Sequence, residues 1–165
     1  MKMFALGGLL QSLIQNGSQS SNQVLTGFCG ILRFTSSRGM IVEFCDVETT
    51  PLGELDAMMA KCKAVIVGCP TINQNILLPI YKLFAVINPI RDKKKLAGGF
   101  GSYGWSGGAQ KDFDELSNNM KWDILEPVVF RGYPTSEQQK KGEDLAAELA
   151  RQVKTIPPKI KDEDY

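Results

Sequence analysis

A three-layer α/β sandwich, one parallel sheet with helices on both faces, is the fold class this sequence predicts. Three observations predict it. Short apolar or β-branched runs alternate with helical patterns from about residue 40 to 154, and such alternation marks βαβ crossovers. Ala64-Val65-Ile66-Val67-Gly68 is apolar without polar alternation, as in a central parallel strand covered on both sides. The length, 165 residues, is that of one domain able to fold without a disulfide or structural metal, and neither a repeat nor a linker divides it.

The elements follow in order. Met40 to Phe44 is β-branched and bounded by Gly39 and Asp46, which reads as a strand. Thr50-Pro51 has the form of an N-cap followed by proline in the first helical position. Leu55, Met58, Met59 and Cys62 then recur at helical spacing, giving an amphipathic helix. After the Ala64–Gly68 strand comes loop chemistry, Pro70-Thr71-Ile72-Asn73-Gln74-Asn75. A helix beginning near Pro79 presents Ile80, Leu83, Phe84 and Ile87 to one side. Basic Arg91 to Lys95 form a turn, and Leu96 to Phe100 read as another strand. The glycine-dense stretch from Gly101 to Gly108 precedes a helix through Phe113 and Leu116, and Val128-Val129-Phe130 make a last strand. Ser136 with Gln139 resembles a capping box, opening a helix whose face is Leu145, Ala146, Leu149 and Val153. From Thr155 to Tyr165 proline and charge predict a disordered tail, which bounds the domain to residues 1–154.

Composition narrows the chemistry. Nineteen basic and eighteen acidic residues leave a net charge of +1, so no global field steers the chain toward nucleic acid or an anionic membrane. The count of histidines is zero. That excludes, within these residues, a Ser-His-Asp triad, a Cys-His dyad, imidazole as general base and a histidine-ligated metal. Cys29, Cys45, Cys62 and Cys69 form no C-x-x-C pair, and core packing is the expected role of such thiols. No apolar run reaches the roughly 18 residues that span a bilayer, and the short apolar opening lacks a convincing cleavage site. A soluble cytoplasmic protein is expected.

In open parallel sheets, ligands bind beyond the carboxyl ends of the strands, so the loops there carry the functional reading. The first, Asn16 to Gln23, follows the apolar Leu9 to Ile14. Its small polar residues suit either a phosphate site or a plain solvated turn. The second, Gly68 to Asn75, offers amides and a hydroxyl but no charge. The third, Phe100 to Ala109, sets Tyr103 and Trp105 among glycines. It suits a flat ligand lying on closely approaching backbone, or a folded-back loop whose Trp105 caps the core. Two uncharged loops beside a phosphate loop favour a neutral planar ring carrying a phosphate, as in flavin mononucleotide (FMN).

Val67-Gly68-Cys69-Pro70-Thr71-Ile72-Asn73 and Phe100-Gly101-Ser102-Tyr103-Gly104-Trp105-Ser106-Gly107 closely resemble the two ring-contacting loops of the flavodoxin-like domain of flavodiiron proteins, also called A-type flavoproteins. The resemblance runs from about Met40 to Tyr133 and includes Asp46 to Leu52; residues 1–40 match poorly. It implies a five-stranded flavodoxin-like sheet and non-covalent FMN. Pro70, Thr71, Ile72 and Asn73 would line one edge of the ring, and Ser102, Tyr103, Gly104, Trp105 and Gly107 the other. The phosphate would fall to Ser18, Ser20, Ser21, Asn22 and Gln23, the best match to the hydroxyl pattern S/T-x-T-G-x-T. Ser21 replaces its usual glycine, and Gln23 its last threonine.

The same resemblance implies the electron-relay half of a flavodiiron protein. The diiron centre of such proteins is held by histidines and carboxylates, and with no histidine here reduction of oxygen or nitric oxide by this chain alone is not expected. No catalytic residue is assigned. FMN would take electrons from a reductase or rubredoxin-like donor and pass them to a separate diiron or other acceptor. The near-neutral charge suits a tethered or homo-oligomeric relay better than a free shuttle. Two readings stand beside it: an FMN-dependent reductase of a quinone or other small acceptor, and a flavodoxin-like interaction domain that has lost FMN.

Overall fold

The computed structural model describes residues 2–7 and 41–156. These form strands β1 (Lys2–Gly7), β2 (Ile41–Asp46), β3 (Ala64–Gly68), β4 (Leu96–Tyr103), β5 (Asp123–Ile124) and β6 (Val128–Arg131). The helices are α1 (Leu52–Lys61), α2 (Leu78–Val86), α3 (Gly108–Asn119) and α4 (Ser136–Thr155). Among the described residues every pairing between these strands is parallel, in the order β2-β1-β3-β4-β5, with β6 also on β4. The order reverses between β1 and β3, which opens a crevice at their carboxyl ends.

The alternation of β3 divides the core. Val65 and Val67 face Leu55 and Met59 of α1, Ile80, Leu83 and Phe84 of α2, and Phe113 of α3. Ala64 and Ile66 face Leu145, Ala146, Leu149 and Val153 of α4. Each fully buried Leu or Ile among these contributes about 1.5–3 kcal/mol. Gly98 and Gly99 thin the middle of β4: a Cβ at either would stand 3.2 Å from Leu149 of α4 or Phe113 of α3. Both helices therefore lie close on the sheet.

β5 and β6 are one edge strand in two pieces. Leu96 lies opposite Asp123 and Phe100 opposite Val128, so four steps along β4 are matched by five along the edge. The extra residue makes a β-bulge containing Pro127, a residue tolerated in sheets at edges and bulges. This is the fifth strand of the expected sheet, and its first half, Asp123–Ile124, was too short to show in the sequence.

Other boundaries differ from expectation. Lys2–Gly7, ahead of the apolar Leu9 to Ile14, opens the sheet, because its backbone pairs on both sides, with Gly7 opposite Asp46 and Gly68. Pro51, not Thr50, is the N-cap of α1, with ψ 140; the Thr50 amide donates to the Asp46 carbonyl at 2.9 Å. The capping box of α4 is Thr135 with Gln138 rather than Ser136 with Gln139. Thr135 is still extended whereas Ser136 is already helical, and the Gln138 side chain accepts from the Thr135 amide at 2.8 Å. Thr155 belongs to α4; the rest of the expected tail, from residue 157, lies outside the described residues.

At the amino ends of the central strands lies a buried ionic cluster. Lys95, 3% exposed, donates to the carbonyls of Met59 and Cys62 at 2.7 Å each, capping the end of α1. It also pairs with fully buried Asp92 at 3.2 Å. Arg91 bridges Asp92 and Asp56, and its hydrogen bond holds the Asp56 carboxyl below the usual range. Trp122 Nε1 donates to the Asp92 carbonyl at 2.7 Å.

Candidate functional site

Beyond their last paired strand residues, β3 and β4 continue side by side. The Cys69 amide donates to Phe100 at 3.0 Å, and the Thr71 amide to Ser102 at 2.8 Å. This approach requires Gly101, since a Cβ there would overlap the Cys69 carbonyl oxygen. After Thr71 the chain reverses tightly. Ile72 and Asn75 exchange backbone hydrogen bonds at 3.2 and 3.0 Å around Asn73 and Gln74, whose φ angles are 50° and 65°. Two central residues at positive φ give a mirror-image turn of the I′ kind, braced by Asn75 Nδ2 donating to the Asn73 carbonyl at 2.7 Å.

The second loop is more strand-like than its glycines suggest. β4 runs on to Tyr103, because β6 supplies partners for Phe100 through Tyr103. Past that point the Gly132 amide donates to the Tyr103 carbonyl at 2.9 Å, and Arg131 Nε to the Gly104 carbonyl at 2.9 Å. Gly132 has φ 64°, the left-handed conformation that glycine adopts without strain.

Between the two loops lies a cleft of about 220 Å³ lined by Pro70, Thr71, Ser102, Tyr103, Gly104, Gly132 and Tyr133. None of these side chains is charged. A Cβ at Gly104 or Gly132 would meet nothing within 4 Å, so both glycines face open space. Thr71, Ser102 and the two tyrosines bring hydroxyls. Such a cleft can hold a flat neutral ring by contact and hydrogen bonding, and no side chain lining it is a strong acid or base.

Of the residues expected to hold a ring, Pro70, Thr71, Ser102, Tyr103 and Gly104 line the cleft. Ile72 and Asn73 sit exposed on the turn at its edge. Gly107 lies against the ring of Tyr103, 3.6 Å from where its Cβ would be. Trp105 is 93% exposed, so it does not cap the core. Ser18, Ser20, Ser21, Asn22 and Gln23 lie outside the described residues. Gly132 and Tyr133 were missed in the sequence, although a glycine directly after a strand is a turn signal.

Beneath the cleft Cys69 is packed as a spacer. Its sulfur accepts from the Leu77 amide at 3.3 Å and donates to the Pro70 carbonyl at 3.2 Å. Burial pushes its pKa up to about 11, so it stays a neutral thiol at physiological pH. Cys45 and Cys62 are also buried and free.

The strand order and the loops converging on an uncharged cleft define a flavodoxin-like α/β domain. No protein-family model matches the chain. It is 34% identical over 123 residues to a nitric oxide reductase of Moorella thermoacetica, covering 70% of this chain and 30% of that protein. It is 33% identical over 134 residues to a flavo-diiron protein of Clostridium acetobutylicum, covering 78% and 32%. The rubredoxin oxygen:oxidoreductase structure from Desulfovibrio gigas shares the fold with a TM-score of 0.78, over 93% of this chain and 36% of that one, at 22% identity. The chain spans about a third of the length of the curated relatives it matches. It is a flavodoxin-like domain of the flavodiiron, or A-type flavoprotein, family.

Proposed function

We propose that this domain binds FMN in the cleft between the Pro70-Thr71 and Ser102-Tyr103-Gly104 loops and relays electrons. The donor would be a reductase or rubredoxin-like protein; the acceptor would be a diiron or other centre outside these residues. The observation that carries the reading is the docking of the two loops, backbone to backbone, around a cleft without charge. The residues fit the cofactor: glycines leave the ring room, and Tyr103 and Tyr133 supply aromatic walls.

When bound, FMN supplies the redox chemistry itself. The protein's part is to hold and shield. Of the lining residues, Thr71, Ser102 and the backbone of Gly104 would hold the edge of the ring, and Tyr103 and Tyr133 would shield it from water. Trp105 and Ile72, exposed at 93% and 47%, would add an apolar rim. Ser18, Ser20, Ser21, Asn22 and Gln23 are proposed to hold the phosphate. With no histidine in these 165 residues, histidine ligands for a diiron centre must come from elsewhere. Among the described residues no helix is long and apolar enough to cross a membrane. The relay is proposed to be cytoplasmic and homo-oligomeric.

The test is a titration of the purified chain with FMN, followed by flavin fluorescence. Saturation at one FMN per chain, weakened separately by Trp105→Ala and Ser18→Ala, is the expected result. Absence of quenching up to high micromolar FMN would sink the reading and leave an interaction domain that has lost its cofactor.

A further inference from the structure

Asp112 lines no part of the cleft and belongs to no motif, yet it anchors the first cleft loop. The Ile72–Asn75 turn sets two non-glycine residues at positive φ, and Gln74 is a poor candidate for that conformation. Such backbone persists only where its surroundings over-determine it. Part of the hold is close packing: Gly108, the first residue of α3, lies so near the Gln74 carbonyl that a Cβ there would overlap it. The other part is Asp112, also on α3. Its Oδ2 accepts from the Ile76 amide at 2.8 Å and from the Tyr81 hydroxyl at 2.9 Å. Ile76 follows the turn directly and its residue is buried, so without the carboxylate its amide would lose that partner at full desolvation cost. Tyr81 lies on α2. One oxygen therefore joins α2, α3 and the turn. The bond to Asp112 also raises the Tyr81 pKa above its ordinary value.

We infer that Asp112 is a positioning residue that, acting through Ile76, holds the Ile72–Asn75 turn and the Pro70-Thr71 wall in the geometry that accepts the flavin ring. This rests on the FMN reading above. A charge-assisted bond from outside the hairpin is what fixes the hairpin on the helices. Loss of it would loosen the turn while the sheet beneath remained paired.

The experiment compares Asp112→Ala, Asp112→Asn and Tyr81→Phe in the full chain. It measures FMN dissociation constants by fluorescence, the midpoint potential of the bound flavin, and thermal midpoints without FMN. Asp112→Ala is expected to weaken FMN about tenfold, the factor that 1.4 kcal/mol represents, and to shift the potential. Asp112→Asn keeps an oxygen acceptor and is expected to restore both; Tyr81→Phe, which removes one of the two bonds, falls between. If Asp112→Ala does not fold, Asp112→Glu carries the same test by displacing the carboxylate one methylene. A lowered thermal midpoint with wild-type affinity and potential would reduce Asp112 to a structural residue and overturn the inference alone. Failure of the wild-type chain to bind FMN would overturn the FMN reading and this inference with it.

Discussion

The amide of Thr71 donates to the carbonyl of Ser102 at 2.8 Å, beyond the last residue of β3, so the two cleft loops are a continuation of the sheet. Their spacing is therefore set by the β ladder and not by loop flexibility.

Gly101→Ala tests that spacing. The new Cβ would overlap the Cys69 carbonyl, a backbone atom with no rotamer in which to escape. Overpacking of this kind costs about 1–3 kcal/mol, visible as a lower urea midpoint. Weaker FMN binding is expected in the same variant, because the cleft walls must separate. Wild-type values for both would show that the loops part freely.

Trp105→Ala is expected to divide stability from ligand binding. A side chain 93% exposed contributes little to folding, so the unfolding free energy should change by no more than about 0.5 kcal/mol. FMN affinity and quenching should both fall. A large loss of stability instead would mean that Trp105 packs on something in solution.

Lys95→Met removes one partner of a buried pair. Asp92 then keeps only Arg91, and the Met59 and Cys62 carbonyls lose their shared donor. A loss of about 3 kcal/mol is expected in urea denaturation. The cluster lies at the end of the sheet away from the cleft, so the folded fraction should bind FMN as wild type does. Affinity lost in proportion to stability would argue against that separation.

The buried thiols set an alkaline limit on stability. Burial pushes Cys45, Cys62 and Cys69 from 9.0 to about 11 in the folded chain. Between those values the unfolded chain has released protons that the folded chain still holds, so stability falls as pH rises. Their contribution is full below pH 9 and lost through about 11. Denaturation series at stepwise higher pH check this. A thiol reagent near pH 8 should label these three slowly until the protein unfolds; rapid labelling would contradict their burial.

What the sequence made legible follows from local signals. Ala64–Gly68 and the face Leu145, Ala146, Leu149 and Val153 declare themselves by periodicity, and each packs as that pattern implies. Pro70, Thr71 and the Ser102-Tyr103-Gly104 run were visible as uncharged loop residues at strand ends. Other features arise only from distant partners. β4 extends through glycines because β6 lies alongside it, and no local propensity reports that. Tyr133 reaches the cleft only through the φ 64° turn at Gly132. Asp112 reads as an ordinary helix-surface carboxylate until Ile76 and Tyr81 are brought to it across the fold. Thr135 and Ser136 each begin a pair with the same capping spacing, so spacing alone cannot choose between them.

Pro127 also decides what the sheet cannot become. A strand added alongside β5 and β6 would find no amide at Pro127 and a register that slips by one residue halfway along. It could match one half of this border but not both, and natural sheets use such bulges and prolines to deter edge-to-edge aggregation. Copies of the chain that stick together by this border would have to unmake the bulge first, so fibrillar growth from the folded state is obstructed here by the same extra residue that bends the strand.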